Sequence, residues 1–278
     1  MKHNKPMNTK TLGKESAALY TGLAGQGKMV FSIADAQKVS GKNYQATLQA
    51  LHRLINAGWL VSSGSGIYAI VSPEAGSEAI PAANRLVIGR ELVGDVPYYF
   101  SYDTALSLHN LITRPVPDVK ISTPRRLQSR KVLKVKYNFI YSKPKNIWGT
   151  ELTWVSEGER ISVSDPERTI IDSLARPDLS GGVVEVATAL QIGAVRFDYE
   201  KLISYAKRFD NQAVIKRLGF LLELLDLTTQ SNINNLQAQI SPSYALLDPY
   251  LPEDGNYYSR WKLKINIEPD ILEKVAST

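Results

Sequence analysis

The stretch SGKNYQATLQALHRLINAGWLVSSGSGIYAIV, residues 40–71, decides how this chain reads. It opens on a tight turn, Ser40-Gly41-Lys42, in which Gly41 is free to take a positive φ. A run with helical periodicity follows over residues 43–57, and Gly58 stands where a helix C-terminus favours glycine. Two β-prone runs, 59–62 and 67–71, flank Ser-Gly-Ser-Gly at 63–66, the pattern of a hairpin and its loop.

Working outward toward the N-terminus, residues 14–26 predict a helix with Ala17, Ala18, Leu19, Leu23 and Ala24 as its apolar positions. Val30 and Phe31 suit a short bridging strand. Ser32 suits the N-cap of a second helix over 33–39, with Asp35 near its positive end. Helix, short turn, helix and hairpin is the order of a winged helix-turn-helix. The expected class is therefore α+β. A winged helix-turn-helix over 1–72 is followed by a Pro/Gly/Ala/Ser-rich linker over 73–83 and a larger mixed α/β domain over 84–278.

A wheel at 100° per residue places Leu48, Leu51 and Ile55 on one face of the third helix, toward the other two helices. Lys42, Asn43, Ala46, Gln49, Ala50 and Arg53 fall opposite, flanked by Gln45 and Thr47. Asn and Gln side chains can pair with adenine, and Arg with guanine, through two hydrogen bonds in the major groove. Tyr44 lies near the core side of this wheel and His52 at its edge. Ser63 and Ser65, at the hairpin tip, are candidate wing contacts. The bland alternative, a merely solvated polar face, is the usual fate of such a helix; position between a turn and a hairpin favours the DNA reading.

Charge agrees. Residues 1–72 carry eight basic and two acidic side chains, a net of +6, and the whole chain is also +6, so the remainder balances to zero. A basic segment beside a neutral one is the electrostatic footprint of a nucleic-acid binder, although a basic tail can also serve solubility. There are no cysteines, which excludes disulfides, thiolate metal sites and a cysteine nucleophile. No apolar run approaches the roughly 20 residues of a membrane span, and no apolar segment follows the basic N-terminus. A cytoplasmic setting without membrane contact is expected.

Beyond the linker, residues 101–111, 183–194, 199–209 and 213–225 read as helices, and 119–122, 132–140, 161–163 and 261–267 as strands. Ser164-Asp165-Pro166-Glu167 opens a further helix with a cap and an early proline. Asp165, Glu167 and Asp172 are therefore read as answering helix ends. A basic run, 123–136, holds Arg125, Arg126, Arg130 and Lys131 and no acid, so it offers a second phosphate-contacting or docking surface, or simply the outer face of a strand. Asp118-Val119-Lys120 has a superficial likeness to half of a metal-nuclease motif but lacks a second placed acid. No catalytic residue, metal ligand or cofactor site emerges.

Several segments together suggest a family. GWL…GIYAI, YYFSYDTALSLHNL, ISTPRR, ISVSDPERTIIDSLARPDLSGG and VIKRLGFLLELL follow one another over about residues 15–225. In these the chain resembles the AbiEi antitoxins of prokaryotic AbiE-type (type IV) toxin–antitoxin and phage-defence systems. The resemblance implies a winged helix that binds operator repeats upstream of its own operon and represses it. It also implies a second domain that counteracts a separate nucleotidyltransferase-like toxin, direct binding not being required. It marks Lys42, Asn43, Gln49 and Arg53 for DNA and Arg125, Arg126, Arg130 and Lys131 for the second surface, and it implies no enzymatic activity. Two other readings stay open: a ligand-responsive transcription factor, and a DNA-targeted metal-dependent nuclease.

Overall fold

A computed structural model describes residues 12–63, 66–71, 84–132, 134–156 and 158–276. The fold is mixed α/β, and the chain divides into two compact units. The first comprises residues 1–96 with 130–137 and 153–161; the second comprises 97–129, 138–152 and 162–278.

In the first unit α1 (Lys14–Gly25) leads to β1 (Val30–Ser32), α2 (Ile33–Ser40), α3 (Tyr44–Asn56), β2 (Leu60–Ser62), β3 (Ile67–Ile70) and α4 (Arg85–Val93). Local chemistry sets these boundaries. Ser32 and Asp35 cap each other reciprocally at the start of α2, and Gly41 ends that helix in the left-handed region at φ 63°. Asn43 accepts a hydrogen bond from the Ala46 main chain and so starts α3. The sheet order is β1-β3-β2, all antiparallel, with Phe31 opposite Tyr68 and Val61 opposite Ala69. Leu19, Leu23, Phe31, Leu51, Leu54, Leu60 and Ile70 form its core. The expected linker, 73–83, lies outside the described residues.

The rest of the chain begins with β4 (Tyr99–Phe100), α5 (Tyr102–Leu108) and β5 (Val119–Thr123). Two hairpins follow, β6 (Arg130–Val132) with β7 (Val135–Tyr141), and β8 (Thr150–Ser156) with β9 (Glu159–Ser164). These strands form a mixed sheet of order β6-β7-β5-β4-β9-β8, in which β4 pairs antiparallel with β5 and parallel with β9. Helices α6 (Pro166–Ala175), α7 (Val183–Ile192), α8 (Tyr199–Phe209), α9 (Gln212–Leu224) and α10 (Gln230–Gln237) build the core of the second unit. A small sheet closes it, from β10 (Ala245–Leu246), β11 (Asn256–Tyr258) and β12 (Leu263–Ile265), before α11 (Pro269–Ala276). Gly182, ahead of α7, has no side chain to cap with; Asp248 supplies the cap instead, accepting from the Val183 main chain at 2.9 Å. No described helix is long and apolar enough to cross a membrane.

Candidate functional site

The residues singled out for DNA gather on α3 and its leading turn, but the helix is rotated from the expected wheel. Thr47, Ala50, Leu51 and Leu54 are its buried positions. Thr47, expected to flank the reading face, is fully buried; its hydroxyl sits 3.0 Å from Ser40 Oγ and ties α3 to the turn. Ala50, placed on the polar face by the wheel, is core. The exposed arc instead runs through Tyr44, Gln45, Gln49, His52, Arg53 and Asn56, with Ala46 half-buried at its margin. Tyr44 is 50 % exposed rather than packed. Small residues such as Thr and Ala suit either side of a helix, so apolar counting alone chose the wrong meridian.

Electrostatics bind this arc to α1. Glu15 accepts from Lys42 Nζ at 2.8 Å and lies 3.5 Å from Arg53 Nη2. The Lys42 hydrogen bond and charge hold the Glu15 carboxyl below its ordinary range. All three groups are substantially exposed, so the contact is a solvated one that a stronger anion can replace. Asn43 spends its carbonyl oxygen on the helix cap, 3.0 Å from Ala46 N. Ser63 closes the β2–β3 hairpin through its main chain to Ile67, 2.9 Å; Ser65 lies outside the described residues.

The second basic run does not form one surface within either unit. Arg125 and Arg126 are exposed in the second unit, with Arg126 over the Tyr141 ring at 4.3 Å. Lys131 is exposed and Arg130 half-exposed, and both belong to the first.

The carboxylates of the SDPERTIID segment take three different structural roles. Asp165 caps α6, accepting from Arg168 N at 2.8 Å, as expected of it. Glu167 is buried and paired with Lys201 at 2.8 Å. Asp172 answers no helix end; it receives Arg168 Nε and the Tyr99 hydroxyl, each at 3.0 Å, inside the second unit. Burial pushes the Asp172 carboxyl above its ordinary range, against the pull of Arg168 and Tyr99. Asp118 is held by Asn138 at 3.3 Å. No group of three His, Asp or Glu side chains fit to hold a metal occurs among the described residues.

This mixed α/β arrangement recurs among solved structures over its whole length. The crystal structure of the RV2827C protein from Mycobacterium tuberculosis aligns with a TM-score of 0.72 over 98 % of each chain. Sequence identity is 16 %, so the likeness is one of fold alone. No family model matches the sequence, and no curated protein does.

Proposed function

We propose that residues 14–71 form a winged helix-turn-helix that binds double-stranded DNA. On this reading the chain is an AbiEi-like antitoxin that represses its own operon in the cytoplasm and counteracts a nucleotidyltransferase-like toxin. The observation that carries the DNA reading is the exposed polar arc of α3: Gln45, Gln49, His52, Arg53 and Asn56, presented between the Gly41 turn and the β2–β3 hairpin. Gln and Arg are the side chains that read adenine and guanine edges through paired hydrogen bonds. Lys42 and Tyr44, at the N-terminal end of α3, suit phosphate contacts that set the helix in the groove. The antitoxin reading is supported by the family-like segments, among them the SDPERTIID segment that builds α6.

The test is fluorescence anisotropy on DNA from upstream of the chain's own operon. Arg53→Ala is expected to weaken binding by about 1–3 kcal/mol and to relax preference at one base position. Unchanged affinity in both Arg53→Ala and Gln49→Ala would overturn the assignment of α3. Co-expression with the toxin gene expected beside it tests the second half: relief of toxicity must survive in Arg53→Ala, since repression and antitoxin action are assigned to different units.

A further inference from the structure

The second unit contains a cleft of about 490 Å³ that DNA binding by α3 leaves unused. Volumes of about 300–1,000 Å³ are those of small-molecule sites. Its walls come from β4 and the start of α5, the segment 141–148, α6, and the end of α8. The lining carries four basic side chains against two acidic ones, and of the acids Asp172 is already engaged by Arg168 and Tyr99. Lys143, Lys145 and Arg208 are exposed at this cleft, and none has a carboxylate partner among the described residues. The Arg208 guanidinium lies over the Trp148 ring at 4.2 Å, a contact that orients it while leaving its N–H donors uncommitted.

Tyr102 supplies a second observation. Its backbone is held at φ 56°, where a bulky side chain is an outlier. Its ring is only 7 % exposed and lines the cleft, yet its hydroxyl makes no hydrogen bond among the described residues. Neighbouring Tyr99 shows the contrast: its hydroxyl donates to Asp172 and accepts from Arg168 at 3.1 Å. The hydroxyl is not one of the buried atoms that lack a partner, so its oxygen opens into the cleft, and a strained backbone that presents a free donor there suits a ligand contact.

We propose that this cleft binds a nucleoside phosphate. Lys143, Lys145 and Arg208 receive the phosphate, the Tyr102 hydroxyl donates to the ligand, and the base lies against the exposed Tyr141 ring and the edge of Trp148, whose ring Arg168 and Arg208 already cover. Several unpaired cations around one opening match a multiply charged phosphate better than a monovalent carboxylate. Planar walls beside them match a base better than a bare sugar. The site lies wholly in the second unit and does not depend on the DNA reading.

The experiment is calorimetry on the full chain with AMP, GMP, adenosine, ribose 5-phosphate and inorganic phosphate, with tryptophan emission followed in parallel. A nucleotide is expected to bind at millimolar concentration or below, with adenosine and phosphate each about tenfold weaker or worse. Tyr102→Phe and the exposed pair Lys143→Ala/Lys145→Ala should each lose about tenfold in affinity. The lysine pair lies at the surface, so an unchanged melting curve separates lost binding from lost folding. Trp148→Phe should remove the emission change, since Trp148 is the one tryptophan of the cleft lining. No binding by any nucleotide overturns the proposal. So does phosphate binding as tightly as the nucleotides, or affinity unaltered in the lysine pair. Displacement of a bound nucleotide by short single-stranded DNA of equal affinity would assign the cleft to nucleic acid instead and overturn it as well.

Discussion

Among the described residues Glu15 is the one carboxylate that touches Lys42 and Arg53, and it does so from α1. Phosphate would have to displace it from Lys42 and Arg53. Glu15→Gln is therefore expected to tighten DNA binding a few-fold, the gain shrinking as salt screens the original pair. Anisotropy titrations at two salt concentrations read this directly, and weaker binding would show that Glu15 orients Lys42 and Arg53 productively. Gly219 is a residue of a different kind. A Cβ there would lie 2.1 Å from the Trp261 ring, whose indole N–H donates to Glu223 Oε2 at 2.7 Å. The ring is fully buried and cannot retreat, so Gly219→Ala should cost about 2–3 kcal/mol in a denaturant titration. The sequence shows Gly219 only as a gap in an apolar helix. Its meaning depends on a tryptophan 42 positions further on, which no local spacing connects to it. Ser32, Asn43 and Asp165, by contrast, act within three residues of themselves, and Ser32 and Asp165 were legible as caps.

At the scale of elements, α2 depends on its cap. Burial raises the Asp35 carboxyl, but hydrogen bonds from Lys28 and from the Ser32 side chain and main chain outweigh it and bring it to about 2, from an ordinary 3.8. A carboxyl depressed on folding contributes its full stability above the ordinary value and loses it as pH falls toward the depressed one. The start of α2 should thus loosen between pH 4 and pH 2, and Asp35→Ala should flatten that part of a melting-temperature profile. At neutral pH the same variant should cost about 1 kcal/mol. An equal acid slope in wild type and variant would remove Asp35 from this role. Element order from α1 to β3 was legible, because caps, glycines and the paired β-prone runs are local signals, whereas α4 and β8 were not read. The facing of α3 was not. Its buried side includes Thr47, which satisfies its hydroxyl through Ser40, and Ala50, which is small enough for either face. Tyr44, His52 and Asn56 consequently join an exposed arc to which periodicity had not assigned them.

At the scale of the molecule, the chain builds its units from segments that lie far apart in sequence. Two-residue β4 sits between β5 and β9 and joins strands some forty residues apart, a pairing that β-propensity cannot announce. The cleft draws on four separate segments, and of its lining only Asp172 stood out in the sequence as a residue, read there as answering a helix end. Across one wall of that cleft runs the Arg168–Asp172 pair, 1 % and 3 % exposed. Arg168 also donates to the Tyr99 hydroxyl and the Trp148 carbonyl, and its guanidinium lies 3.9 Å from the centre of the Trp148 ring. One side chain thus fastens β4, α6 and the segment before β8 together. Burial lifts the Asp172 carboxyl, the sign expected when desolvation is not fully offset by pairing. An acid raised on folding favours the native state less as pH climbs past its ordinary range, whereas Asp172 raises the Arg168 guanidinium and favours the native state, so the two shifts oppose each other. It follows that Asp172→Ala, which strands the Arg168 charge, should cost about 3–5 kcal/mol. Arg168→Met with Asp172→Leu, which removes both charges and keeps the volume, should cost far less than that, and the Tyr99 hydroxyl it orphans sets the remainder. Chemical denaturation of the two variants decides the matter. If the double variant is as unstable as Asp172→Ala, the guanidinium's contacts to Tyr99 and Trp148, rather than compensation of charge, hold this wall of the second unit in place.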